Sequence, residues 1–377
     1  MLSSAYLTLL AGPLPLPVPK PVVDAVTSVQ VTTHATEPSA FQITFTLADT
    51  SPLQALFLLA PVSPVMQIRI VLFVTMNYLP QVLIDGIITH HQIGPATASG
   101  YSTLTVSGED LTAVMKLITL PGLPYPAMPA EARVALILAK YAAYGVVPLV
   151  VPSIVPDIPI PVERIPTQQG NDYDYLRMLA EAAGYVFYLD PGPLPGMTTA
   201  YWGPEIKFGI PQPALSINMD AWTNVDSLSF TYEPDKSTLP IVFIQDPITK
   251  APIPIVIPPV TPLNPPLGIF VPVPSTTDLM TETSKLDPGL ALLLGMARAS
   301  RSADVVSGSG TLDVVRYGQV LKARQLVGVR GAGPAFDGLH YVDSVTHTLS
   351  KGQYKQSFTL KRNALIANTP VVPTVAI

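Results

Sequence analysis

Where the prolines fall constrains this chain more than any other feature. There are 43 in 377 residues, about twice the usual share. Twenty of them are gathered in three stretches: GPLPLPVPKPVV (12–23), VPLVVPSIVPDIPIPVERIP (147–166) and KAPIPIVIPPVTPLNPPLGIFVPVPST (250–276). Proline fixes φ and deletes a backbone donor, so runs this dense are excluded from helix interiors and central strands. The first is expected as a polyproline-like arm, the second as an extended connector, the third as an inserted extended loop. The core must come from the segments between them.

Those segments alternate with a period of two. Phe41, Ile43, Phe45 and Leu47 fall on one face of a strand, and Gln42, Thr44 and Thr46 on the other, as in a half-buried strand. MQIRIVLFVTM, QVLIDGIITHH and YSTLTVSGED continue the pattern. GEDLTAVMKLI should open a short helix, with Asp110 facing its unpaired amides. PAEARVALILAKYAAYGV reads as a helix with Pro129 in its first turn and Gly145 at its end. In NDYDYLRMLAEAAGYVFYLD, Asn171 caps a helix, Leu176, Leu179, Ala180 and Ala183 make one apolar stripe, and Gly184 ends it before a hairpin. The expected fold is therefore mainly β with an α+β middle domain. An N-terminal arm spans 1–21, a first β-domain 22–118 and the middle domain 119–215. A second β-domain spans 216–365 with a proline-rich insertion at about 236–285, and a tail 366–377.

A hairpin pattern recurs. Thr346-His347 is followed, after ten intervening residues, by Phe358-Thr359-Leu360, with Tyr354 as an aromatic partner. Thr33-His34 is followed at the same distance by Phe45-Thr46-Leu47, with Phe41 at the place of Tyr354. A looser copy joins Thr89-His90 to Leu104-Thr105-Val106, and matches Leu111 to Leu365. On this reading His34, His90 and His347 hold equivalent places, the two tight hairpins share a turn length, and the repeats present assembly surfaces. Charged residues are only 12%, about half the ordinary share, so a neutral surface is left for burial against partners.

The sequence offers little to catalysis. It lacks the zinc-protease, nucleophile-elbow and phosphate-loop motifs, and GVRGAG (328–333) fits a turn. There is no cysteine, hence no disulfide or thiolate chemistry. His90 and His91 are adjacent on a strand and point to opposite faces. Asp172 and Asp174 fall in a helix first turn, where the dipole accounts for them, so with Glu181 they make a weak carboxylate set. Tyr201 and Trp202 are expected in the core. Net charge is −5, so no basic field gathers nucleic acid or anionic lipid, and no apolar run escapes proline or charge long enough to span a membrane. No cofactor or metal is expected.

NDYDYLRMLAEAAGYVFYLD…TTAYWGP, SGTLDVVRYGQVLKARQLVGVRG, FDGLHYVDSVTHTLSKGQYKQSFTLKRNAL and STLTVSGEDLTAVM together resemble the baseplate hub proteins of contractile phage tails. That group includes the late control protein D family and the hub half of type VI secretion spike proteins. The resemblance implies two tail-tube-like β-domains per chain and a homotrimer. Such a trimer adapts a hexameric tail tube to a separate trimeric spike, contacts other baseplate proteins and passes cargo through its lumen. It implies synthesis in the bacterial cytoplasm and a place in the baseplate, with no stable nucleic-acid or membrane binding. The spike is expected on a separate chain because the sequence ends at 377. A tail-tip cell-wall hydrolase and a pore-forming β-protein are the competing readings.

Overall fold

The computed structural model describes residues 5–47, 67–94, 102–153, 158–162, 165–246, 248–249, 251–260 and 264–368. One continuous, largely antiparallel sheet organises it. Eight of its strands lie in the order Val225–Tyr232, Val306–Asp313, Gln353–Arg362, Gly338–Ser350, Val26–His34, Ala40–Leu47, Ser102–Asp110 and Leu79–Gly94. Arg69–Met76 pairs with the first half of Leu79–Gly94, and Leu326–Arg330 with the first half of Gly338–Ser350. The alternation read from the sequence decides which face is buried. Phe41, Ile43, Phe45, Leu104, Val106, Val345, Phe358 and Leu360 belong to one core shared by both β-units. Each such side chain contributes about 1.5–3 kcal/mol through burial.

Four strands of each β-unit repeat in a register fixed by bulges. In the first, Val26 pairs with Phe45 and Ser28 with Thr44, leaving Thr27 as the extra residue. In the second, Val225 pairs with Leu312 and Ser227 with Thr311, leaving Asp226. The next hairpin repeats as faithfully. Ile88 pairs with Gly108 and His90 with Ser107 around Thr89, while Val342 pairs with Leu360 and Ser344 with Thr359 around Asp343. A bulge locally bends and twists the strand, so its place is as diagnostic as a side chain.

This register corrects the sequence repeat. The counterpart of the C-terminal hairpin is the looser copy, Leu79–Gly94 with Ser102–Asp110, displaced by two residues so that Val106, not Leu104, is level with Phe358. The tight match was misleading. Val26–His34 with Ala40–Leu47 corresponds instead to Val225–Tyr232 with Val306–Asp313, whose connection carries the insertion. Turn lengths differ too: Ser350 pairs with Gln353 around Lys351-Gly352, whereas the last pair of the first hairpin is Thr32 with Ala40. A Thr-rich strand of period two matches any other after an even slip, and bulges leave no trace in composition.

All three proline-rich readings also change. The polyproline-like arm expected at 12–23 is not what forms: Leu16-Pro17 pairs back on Leu10-Ala11 and Lys20–Asp24 is a short helix, while Ala5–Gly12 pairs along its length with Arg69–Met76 and buries Leu9. Val146–Val150 is not a connector but an edge strand, parallel to Thr198–Gly203 despite Pro148. The insertion is a three-stranded sheet with Thr238–Gln245 between Pro252–Val256 and Thr276–Met280. Helix Pro288–Ser302 packs on it around Val242, Ile257, Met280 and Ala299. Pro252 and Pro254 lie on an outer strand, where missing donors are tolerated. The tail expected from 366 begins inside a short ladder, Leu365–Ala367 against Gly268–Phe270; residues 369–377 lie outside the described residues.

The middle segment forms its own core around Leu176, Leu179, Tyr185, Phe187 and Trp202. Helix Asp172–Ala182 starts where Asn171 accepts a hydrogen bond from the Asp174 amide at 2.8 Å. Gly184 follows it at φ 69°, a left-handed conformation that glycine adopts without penalty.

Candidate functional site

The feature that stands out is the face of the long sheet turned away from the core. Opposed strands meet there as hydroxyl pairs: Ser227 with Thr311 at 2.8 Å, Ser229 with Ser309 at 3.1 Å, Ser344 with Thr359 at 2.6 Å, and Thr32 with Thr346 at 3.1 Å. Each pair is directly opposed in its ladder, the arrangement in which cross-strand hydroxyls stabilise a sheet. Gln30, Gln42, Thr44 and Ser357 continue the face.

Several charges beside these hydroxyls form compensated pairs. Lys355 meets Asp226 at 3.1 Å, Arg316 bonds the same carboxylate, Lys361 meets Asp343 at 2.8 Å and Lys116 meets Glu109 at 2.5 Å. Asp226 lies below the ordinary carboxylate range: its slight burial is outweighed by hydrogen bonds from Lys355 and Arg316.

Buried ions tie the middle segment to the two β-units. Arg69 grips Asp85 through two bonds of 2.7 and 2.6 Å, and donates also to the Tyr144 and Gly196 carbonyls at 2.6 and 3.1 Å. Burial raises Asp85 above the usual carboxylate range against the opposing pull of Arg69. Arg324 donates to the carbonyls of Ala35 and His34 at 3.0 and 2.7 Å and to Asp190 at 3.1 Å. Its guanidinium lies 4.0 Å from the Tyr188 ring centre, so one side chain ties three parts of the chain. The sequence carried a signal for the first clamp, a lone arginine and a lone aspartate inside apolar strands. It carried none for Arg324.

The residues singled out in the sequence are not gathered into one site. Phe41, Phe45, Leu47, Leu104, Val106, Tyr354, Phe358 and Leu360 are buried in the chain's own core. His347 is buried beside the Tyr354 hydroxyl at 2.8 Å, His34 is half-buried at a strand end, and His90 is exposed. His34 and His347 therefore hold different places: His347 is level with Ile93 in the repeated unit. His340, which the sequence reading passed over, is fully buried against Phe230.

The three acids do not make a catalytic set. Asp172 is buried and held by Tyr141, Gln168 and Lys140 at 2.6, 2.6 and 2.5 Å. Asp174 is bonded to its helix cap, and Glu181 pairs with Arg177. Trp202 is fully buried and Tyr201 nearly so. Among the described residues no cluster of three or more metal-ligating side chains occurs, and no helix is long and apolar enough to cross a membrane.

No protein-family model matches the chain, and no curated protein matches it. Solved structures do. The chain is similar to the tail protein of Neisseria meningitidis MC58 with TM-score 0.62 at 14% identity, over 96% of this chain and 97% of that one. It is similar to the 43 kDa tail protein of prophage MuSo2 from Shewanella oneidensis with TM-score 0.60 at 16% identity, over 96% and 100%. An Escherichia coli type VI secretion component, described as structurally similar to the phage T4 tail proteins gp27 and gp5, aligns with TM-score 0.51 at 13% identity, over 93% and 77%. The chain thus has the mainly β fold of phage tail proteins and their secretion-system counterparts.

Proposed function

We propose that this chain is a structural hub of a phage tail or a related injection particle. In this reading it is a homotrimer whose six β-units mate with a hexameric tube. A separate trimeric spike and other baseplate proteins attach to the rest of its surface, and the domains divide as the sequence suggested, with 5–12 reassigned to the first β-unit. The hydroxyl-lined face borders the passage for cargo.

The observation that carries the reading is the direction of the repeat. The two units follow one another in the sheet in the same order, so the joint between them is heterologous, and heterologous joints generate rings when the rotation closes. Three chains of two such units give six similar positions around one axis. The neutral hydroxyl face suits a channel wall, and the similarity to tail proteins supports the setting. The role is non-enzymatic, and its place is the baseplate of a particle assembled in bacteria.

Mass measurement of the purified chain, followed by reconstruction of the particle, tests this. A trimer seated between tube and spike is expected. A stable monomer, or a particle without a threefold axis at this protein, would overturn it.

A further inference from the structure

The joint inside the chain contains a template for the joint between chains. Strand Val26–His34 pairs with Gly338–Ser350 in a register that sets Val31 against His347, Thr32 against Thr346 and His34 against Ser344. Each partner has a counterpart, fixed by the shared bulges. For Val31, Thr32 and His34 these are Phe230, Thr231 and Glu233. For His347, Thr346 and Ser344 they are Ile93, Gln92 and His90.

Those counterparts lie at the two ends of the sheet. Among the described residues, no strand pairs with the outer edge of Val225–Tyr232 or with the outer edge of Leu79–Gly94 beyond Ile87. Exposed strand edges with free donors and acceptors are templates for pairing.

Burial points the same way. At the internal joint Val29, Val31 and His347 are 1%, 0% and 5% exposed. Their counterparts Leu228 and Phe230 are only half-buried, and Ile93 is 49% exposed. The side chains that the internal joint covers are those the free ends leave open.

We infer that Val225–Tyr232 of one copy pairs antiparallel with the second half of Leu79–Gly94 of the next, in the register Phe230 to Ile93, Thr231 to Gln92 and Glu233 to His90. The pairing closes an apolar contact between Phe230 and Ile93, extends the polar row past Thr231 and Gln92, and sets a carboxylate opposite an imidazole at its end. This assignment rests on the trimeric reading and adds to it the edges used and their register.

The absence of cysteine allows a direct test. Residues directly opposed across antiparallel strands have Cα atoms about 4.5–5.5 Å apart, within the roughly 4.4–6.8 Å that a disulfide spans. A diagonal neighbour lies at about 7–8 Å. Thr231→Cys with Gln92→Cys, both exposed positions, should oxidise to covalent trimers on denaturing gels. Thr231→Cys with His90→Cys should not, and Thr32→Cys with Thr346→Cys should close within one chain. Ile93→Lys should lower the trimer fraction while leaving the melting temperature of the monomer unchanged.

A trimer by mass that cross-links only in the displaced pair, or not at all while the internal control closes, overturns the register and leaves the trimer standing. A chain that stays monomeric throughout overturns the trimeric reading, and this inference with it.

Discussion

Thr32 and Thr346 face each other across the ladder that joins the two β-units, their hydroxyl oxygens 3.1 Å apart. This pair sits within the strand ladder that joins the repeated units inside a chain. Replacing both by valine removes the bond but keeps the β-branched shape. A cost of about 0.2–1 kcal/mol is expected from cross-strand pair energetics, measured by denaturant unfolding, with trimer formation retained.

Two glycines hold aromatic rings against the ladder and should resist the smallest substitution. A Cβ at Gly108 would lie 2.0 Å from the Ile87 carbonyl oxygen and 2.7 Å from Phe41 Cζ. At Gly310 it would lie 2.5 Å from the Ser227 carbonyl oxygen and 2.7 Å from Phe358 Cζ. Gly108→Ala should destabilise by about 1–3 kcal/mol or more, as overpacking does. Trimming the ring in Gly108→Ala with Phe41→Leu should recover only part, because the tighter clash is with backbone. Thermal unfolding of the two variants beside the unsubstituted chain checks this.

The Arg69 and Asp85 clamp predicts an asymmetry. Asp85→Asn should cost about 3–5 kcal/mol, since it leaves a buried guanidinium without its counter-charge. Arg69→Met with Asp85→Leu should be closer to wild type than either single change, because replacing both ions avoids the uncompensated charge. A double-mutant cycle by chemical denaturation supplies the comparison.

Acid should weaken the second β-unit through its histidines. Burial pushes His347 down to about 4 from the ordinary 6.5, and burial with the nearby Arg362 charge pushes His340 down to about 3. Below pH 6.5 the unfolded chain binds protons that the folded chain refuses. Their contribution is therefore complete above 6.5 and is lost as the pH falls toward 4. Asp85 and Asp110, raised by burial, act in the opposite sense as they take up protons in the folded state. His347→Gln should remove one site's share of the slope, at most about 1.4 kcal/mol per pH unit. Unfolding at pH 7 and pH 5, wild type against variant, reads it.

A hydroxyl face that borders a passage, as proposed, predicts a separation of stability from delivery. Ser357 is exposed among the hydroxyls, so Ser357→Lys should change stability by no more than about 0.5 kcal/mol. Particles should assemble in normal numbers by electron microscopy and deliver cargo less efficiently. Unchanged delivery would place the passage elsewhere.

How much of this could be read in advance depended on whether the signal was local. The Asn171 cap, the apolar stripe of Leu176, Leu179 and Ala180, and the alternation of Phe41, Ile43, Phe45 and Leu47 each rest on residues within a turn or a strand of one another. The sequence therefore determined these elements, the mainly β character of the chain and its lack of cysteine chemistry. Register, clamps and edges were decided only by the tertiary structure. A slip of two residues leaves alternation intact, so Phe358 could be set level with Phe45 or Leu104 until the bulges at Thr27, Thr89, Asp226 and Asp343 ruled both out. The prolines at 148, 252 and 254 were compatible with strands only because those strands lie at sheet edges, a fact that depends on neighbours far along the chain. Arg324 reached Ala35, His34, Asp190 and Tyr188 by the same route, through distances that only the folded chain closes.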